Sequence, residues 1–141
     1  MYGDHRDSLP DDPWVVEEAR AGYRPIEELD VYADASRLAD DIFLLSADWP
    51  FFARDVVGKQ LARAADSVAA NMVEGDGRLS VTDGLRFLDY ARASARETEH
   101  FLRRAQARNL LDEEQAESLI ARTQSVSRRI TKIIQYRRTQ L

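Results

Sequence analysis

The sequence predicts an all-α protein: an antiparallel up-down-up-down four-helix bundle preceded by an extended N-terminal arm. Three observations predict it. Apolar residues recur at helical spacing in four long segments, and no segment alternates as a strand would. The joints between those segments are short, which leaves little room for a crossover connection. Among 141 residues there are only 6 Gly and 4 Pro, too few for a sandwich or barrel with many tight turns. With 44% hydrophobic and 32% charged residues the chain has apolar material for one core.

Residues 1–25 read as the arm and 26–141 as the bundle. Pro10, Pro13 and Pro25 interrupt the arm, which is rich in Asp. Within it, Asp12 can cap two helical turns from Pro13 to Arg20. Trp14, Val15 and Val16 then need a cover, on the parent bundle or on a neighbouring subunit. The first bundle helix is expected over 26–47, with Leu29, Tyr32, Ala35, Leu38, Ile42 and Leu45 on one face. Asp48, Trp49 and Pro50 end it. The second is expected over 52–74, with Val57, Leu61, Ala64, Ala65, Val68, Met72 and Val73 inward and Gly75 as its left-handed C′ residue. Ser80 can cap a third helix over 81–107, built on Leu85, Leu88, Ala91, Ala95, Thr98, Leu102 and Ala105 and closed by Asn109. Asp112 caps the fourth, over 113–138, with Glu113 and Glu114 in its first turn and Leu119, Val126, Ile130, Ile133 and Ile134 inward. Phe43, Leu44, Phe87 and Phe101 widen the stripes sideways. A monomer would expose some of them, so a homo-oligomer is expected.

Composition excludes several chemistries. There is no cysteine, so disulfides and thiolate sites are out. Glu97-Thr98-Glu99-His100 holds one Glu-x-x-His, but a di-iron bundle needs two such motifs and further glutamates. The other histidine, His5, lies in the arm, so no metal or cofactor is expected. Gly75-x-Gly77-Arg78 lacks the Gly-Lys-Ser/Thr ending of a phosphate loop and follows a helix, not a strand. Ser67, Ser80 and Ser94 have no histidine base. No enzyme activity, no small-molecule substrate and no membrane span are expected. The acidic N-terminus lacks the apolar run of a signal peptide, so a cytoplasmic location is expected.

Charge is unevenly distributed along the chain. Residues 1–50 hold 13 acidic and 4 basic groups, net −9, whereas residues 100–141 hold 4 and 9, net +5. Two readings follow: the halves neutralise each other within the fold or assembly, or the basic end holds a polyanion. The last helix carries the candidate nucleic-acid surface, Arg128, Arg129, Lys132, Arg137 and Arg138, with Gln124, Ser125, Gln135 and Tyr136 interleaved. A second group, Ser67, Asn71, Glu74, Gly75, Arg78 and Arg92, is expected to form a structural network. Glu74 would be held by Arg78 and, across the bundle, by Arg92. Losing that charged hydrogen bond would cost about 1.5–3 kcal/mol.

The run Leu61-Ala62-Arg63-Ala64-Ala65-Asp66-Ser67-Val68-Ala69-Ala70-Asn71-Met72-Val73-Glu74-Gly75-Asp76-Gly77-Arg78 resembles the signature of one bacterial family. Its members are four-helix-bundle proteins first noted as open reading frames in intervening sequences of 23S ribosomal RNA genes. The family pattern is roughly L-R-R-A-A-x-S-I-P-A-N-I-A-E-G-x-G-R. A second block, Phe87-Leu88-Asp89-Tyr90-Ala91-Arg92-Ala93-Ser94-Ala95-Arg96-Glu97-Thr98-Glu99, is similar to F-L-x-x-A-R-G-S-x-x-E-L-E. The resemblance covers about residues 26–138. Ala69 replaces the family proline, Ala93 a glycine and Thr98 a leucine. The resemblance implies a bundle that often forms a ring-like pentamer. A similar bundle, the accessory protein of diversity-generating retroelements, is a strongly basic pentamer that binds reverse transcriptase and RNA; this chain is acidic instead. No catalytic residues come with the resemblance. Two functions follow as expectations: binding of RNA or an RNA-bound protein through the last helix, or a protein-only assembly.

Overall fold

The protein's structure, a computed structural model, describes residues 25–141. The expected arm, its Asp12 cap, the Trp14-Val15-Val16 cluster and His5 lie outside the described residues. A 3-10 turn, Ile26–Glu28, opens the described chain. Helix α1 follows (Asp30–Ala47). Helix α2 occupies 51–76 in three pieces: Phe51–Ala53, a π-helical stretch Arg54–Gly58, and Lys59–Asp76. Helix α3 is Val81–Ala107 and helix α4 is Glu113–Arg138. Each helix packs on the next and α4 closes back on α1, which gives the expected antiparallel bundle. No strand occurs among the described residues.

Local chemistry explains the ends. The Asp83 N–H donates to Ser80 Oγ at 3.3 Å, which caps α3. At α4 the Gln115 N–H donates to Asp112 Oδ1 at 2.7 Å while Gln115 Oε1 accepts from the Asp112 N–H at 3.2 Å, a reciprocal capping box. Helix α3 ends on Asn109, at φ 60°. The Leu110 N–H donates to Ala105 O at 2.9 Å and the Asn109 N–H to Gln106 O at 3.0 Å, the pair of bonds of a Schellman turn. Asparagine tolerates the left-handed region better than most residues.

Gly75 does not end α2 as a left-handed residue. The helix continues to Asp76, and Gly77 follows with φ −79°. Gly75 serves a close crossing instead. A Cβ there would stand 2.8 Å from Gly84 O and 3.0 Å from Phe87 Cβ, and a Cβ on Gly84 would stand 2.9 Å from Gly75 O. Two glycines therefore let the backbones of α2 and α3 touch just before the turn that joins them.

The core consists of two clusters. Ile26, Leu29, Val31, Val68, Met72, Leu88, Ile130 and Ile133 fill the end at the α2–α3 turn. Leu38, Ile42, Trp49, Val57, Leu61, Leu102, Leu111 and Leu119 fill the other end. Three hydroxyls, of Ser46, Thr98 and Thr123, are buried among the described residues, and each is satisfied on its own helix, Ser46 Oγ by donating to Phe43 O at 3.3 Å. Thr98 Oγ1 donates to Ser94 O at 2.8 Å and Thr123 Oγ1 to Leu119 O at 2.7 Å. That explains how Thr98 stands where the resembled pattern has leucine. Ala93 is exposed, so its replacement of glycine leaves the packing of the bundle core unaffected.

Candidate nucleic-acid interface

The basic residues of α4 do not share one surface. The Arg129 guanidinium, mostly buried, donates to Asp34 on α1 at 2.7 Å, and Arg122 lies 2.8 Å from Asp41 on the same helix. Arg137 reaches Asp76 at the end of α2, with Nη1 to Oδ1 at 3.4 Å. The acidic first half of the bundle thus neutralises part of the basic last helix across helix–helix contacts. Arg129 and Arg137, expected on the nucleic-acid surface, are held by carboxylates of other helices. Their sequence positions allow it because Arg129 falls next to the buried Ile130, and Arg137 one turn beyond the buried Ile133 and Ile134. Lys132 is half-buried on α4, and Arg138 is exposed in its last turn.

Asp34 also accepts from Arg37 at 2.7 Å. Burial alone pushes its carboxyl upward. Hydrogen bonds from Arg37 and Arg129, with the charges of both, outweigh that and hold it below the ordinary carboxylate value.

Arg128 points elsewhere. It is exposed and lines a cleft of about 240 Å³ between α3 and α4 together with Arg96, Gln124 and Ser127. Neither Arg96 nor Arg128 has an ion pair among the described residues. Glu99 also lines the cleft, and its carboxylate accepts from Arg103 Nε at 3.2 Å. Two guanidiniums from two helices, beside an amide and a hydroxyl, form a donor set suited to a phosphate-like anion. Sequence reading missed Arg96. It lies in the near-neutral middle of the chain, and only the register of α3 against α4 brings it beside Arg128.

The second expected group also separates. Ser67 Oγ donates to Arg63 O at 2.8 Å and Asn71 Nδ2 to Ser67 O at 2.9 Å, so both bonds stay within α2. Glu74 and Arg78 pair at 2.5 Å. Arg92 does not join them; its guanidinium donates to Asp89, one turn back on α3, at 2.7 Å. The link from α2 to α3 is Arg78 itself, whose guanidinium lies over the Phe87 ring at 4.3 Å. Asp76 is the polar residue that does join separate elements. Besides meeting Arg137, its Oδ2 accepts the Ile26 N–H at 3.0 Å, which ties the entry of the bundle to the end of α2.

His100 is exposed and lies edge-on to Phe101, with ring centroids 5.3 Å apart. Among the described residues no three His, Asp or Glu side chains gather closely enough to hold a metal ion. No described helix is long and apolar enough to cross a membrane.

The family model described as "23S rRNA-intervening sequence protein" matches residues 27–132. Among solved structures, the chain is similar to a protein of unknown function from the S23 ribosomal protein family of Bacteroides thetaiotaomicron. The two are 26% identical with a TM-score of 0.67, over 74% of this chain and 97% of the other. No curated protein matches the sequence.

Proposed function

The chain belongs to the 23S rRNA-intervening sequence protein family, and on that premise we propose that it is a non-enzymatic, self-associating cytoplasmic bundle that holds RNA, or a protein carrying RNA, by phosphate contacts. The observation that carries this reading is a pair of arginines without ion-pair partners among the described residues, Arg96 and Arg128, lining one cleft with Gln124 and Ser127. Phosphate contacts of this kind position a strand without reading its sequence. A homo-oligomer, with five subunits the preferred number, repeats the cleft and adds affinity by avidity. The exposed Phe51 and Phe52 support a second reading, a protein-only assembly.

The test is binding of a fluorescent single-stranded RNA across a salt series, followed by anisotropy. Binding is expected to weaken with a log–log slope of about −0.7 for each phosphate contact. The double reversal Arg96→Glu with Arg128→Glu is expected to abolish it while helicity and oligomer mass stay unchanged. Retention of RNA by that variant, or none by the wild type at low salt, overturns the RNA reading and leaves the protein-only assembly. A sedimentation mass near 16.1 kDa overturns self-association.

A further inference from the structure

The end of the bundle where α1 meets α2 is incomplete in three respects. An apolar groove of about 430 Å³ opens there, lined by Phe52, Ala53, Val56, Val57, Leu110 and Arg108. Phe52 is 77% exposed and its neighbour Phe51 72%. The π-helical stretch Arg54–Gly58 lies along the same groove. Such irregular turns are uncommon and concentrate at functional places. Trp49, in the same core cluster as Val57, buries an indole N–H that has no hydrogen-bond acceptor among the described residues. Buried donors are rarely left so.

We propose that this groove receives residues 12–18 of the N-terminal arm of a second copy of the chain. The inference rests on the self-association proposed above and specifies its contact. The arm segment reads Asp12-Pro13-Trp14-Val15-Val16-Glu17-Glu18, a large apolar cluster bracketed by acids. The groove is its complement, an apolar floor with the Arg108 guanidinium on its lining and Arg54 beside Phe51. Of the acids near the groove, Asp55 is already paired with Lys59 at 2.6 Å.

Reach selects the second copy over the first. The arm leaves the bundle at Ile26, which is bonded to Asp76 at the far end of α2. From Asp76 back to Arg54 the helix advances 22 residues, about 33 Å at 1.5 Å per residue. Val15 lies 11 residues from Ile26 along the chain. Docking on its own groove would stretch that tether almost to its limit of about 37 Å. A neighbour whose groove end lies near this anchor is served without strain.

The chain has no cysteine, so paired thiols report the contact alone. Val15→Cys and Val56→Cys, purified separately with different tags, are mixed, allowed to exchange subunits and oxidised. A disulfide needs Cα atoms within about 7 Å. A product linking one chain of each variant is the expected result, and Phe52→Glu in the Val56→Cys chain is expected to suppress it. Leu110→Cys replaces Val56→Cys should that variant not fold. A chain carrying both cysteines that closes on itself as a single-chain disulfide overturns the exchange. Absence of any link at both groove positions overturns the docking. Light scattering of the wild type separates the two ideas: an oligomer without the link sinks the arm contact alone, and a monomer sinks self-association as well.

Discussion

Replacing Asp76 by alanine removes one carboxylate that three elements share. Its side chain is 8% exposed and that of Arg137 is 15% exposed. Removing one member of a buried pair costs up to about 3–5 kcal/mol, and less where the other member keeps further contacts, as Arg137 does. The 3.4 Å separation is long for a charged hydrogen bond, which puts the cost at the lower end, about 3 kcal/mol. The Ile26 N–H, bonded to Asp76 Oδ2 at 3.0 Å, loses its acceptor in the same step. For a chain of this size that cost lowers the melting temperature by about 10 °C. Thermal melts followed by circular dichroism read the shift. Glu74→Ala, two residues away, is the comparison. Glu74 is 54% and Arg78 39% exposed, so although the pair is short it contributes no more than about 1 kcal/mol. The earlier expectation of a large loss at Glu74 therefore moves to Asp76. Asp76→Asn, which can still accept from Ile26, is expected to melt between wild type and Asp76→Ala. If Asp76→Ala melts within about 2 °C of wild type, or Glu74→Ala loses as much, the tie through Asp76 does not hold the bundle end together.

The two other stability predictions concern the helix crossing and the acid limb. Gly84→Ala is expected to cost about 1–3 kcal/mol in urea unfolding, since its Cβ would meet the backbone Gly75 O at 2.9 Å; Gly77→Ala, with its nearest contacts at 3.6 and 3.7 Å, should be neutral or slightly stabilising, and an equal loss at both sites would remove the crossing as the cause. Asp34, held below its ordinary value in the fold, contributes stability that is present above about pH 4 and is lost as pH falls through the lower folded value. Asp34→Asn should therefore lie below wild type in stability at neutral pH and approach it in acid, and a constant difference down to pH 2 would exclude that linkage.

The helices were legible because each carries its own punctuation. Asp112, Ser80 and Asn109 act locally, so their roles can be read from a few neighbouring residues. Apolar spacing likewise marks which face is buried, as Leu61, Val68 and Met72 show. What sequence could not supply was register between helices. The closeness of Gly75 to Gly84 looks like a helix end until the crossing is known, because glycine serves both purposes. Arg92 looks available to Glu74 until α3 turns it toward Asp89. The π-helical stretch at Arg54–Gly58 has no local signal of comparable strength; Gly58 packs near Ser46 and Trp49, and that contact belongs to the tertiary structure.

Charge shows most clearly how register decides function. A run of arginines along α4 counts as one basic surface only while the helix is considered alone. Within the bundle, Asp34, Asp41 and Asp76 each take one arginine of that helix, and the acidity of the first half becomes the counter-charge of the last. An arginine held in this way can meet a phosphate only by giving up a carboxylate, an exchange of one charged partner for another with little net gain. Among the described residues Arg128 has no ion pair of this kind, the Glu99 carboxylate in its cleft being held by Arg103, and Arg96 joins it from a segment whose composition is nearly neutral. The residues left for an outside anion are thus those the fold does not consume. A charge reversal at Arg129 should unsettle the α1–α4 contact first, whereas reversals at Arg96 and Arg128 act on binding with the bundle intact.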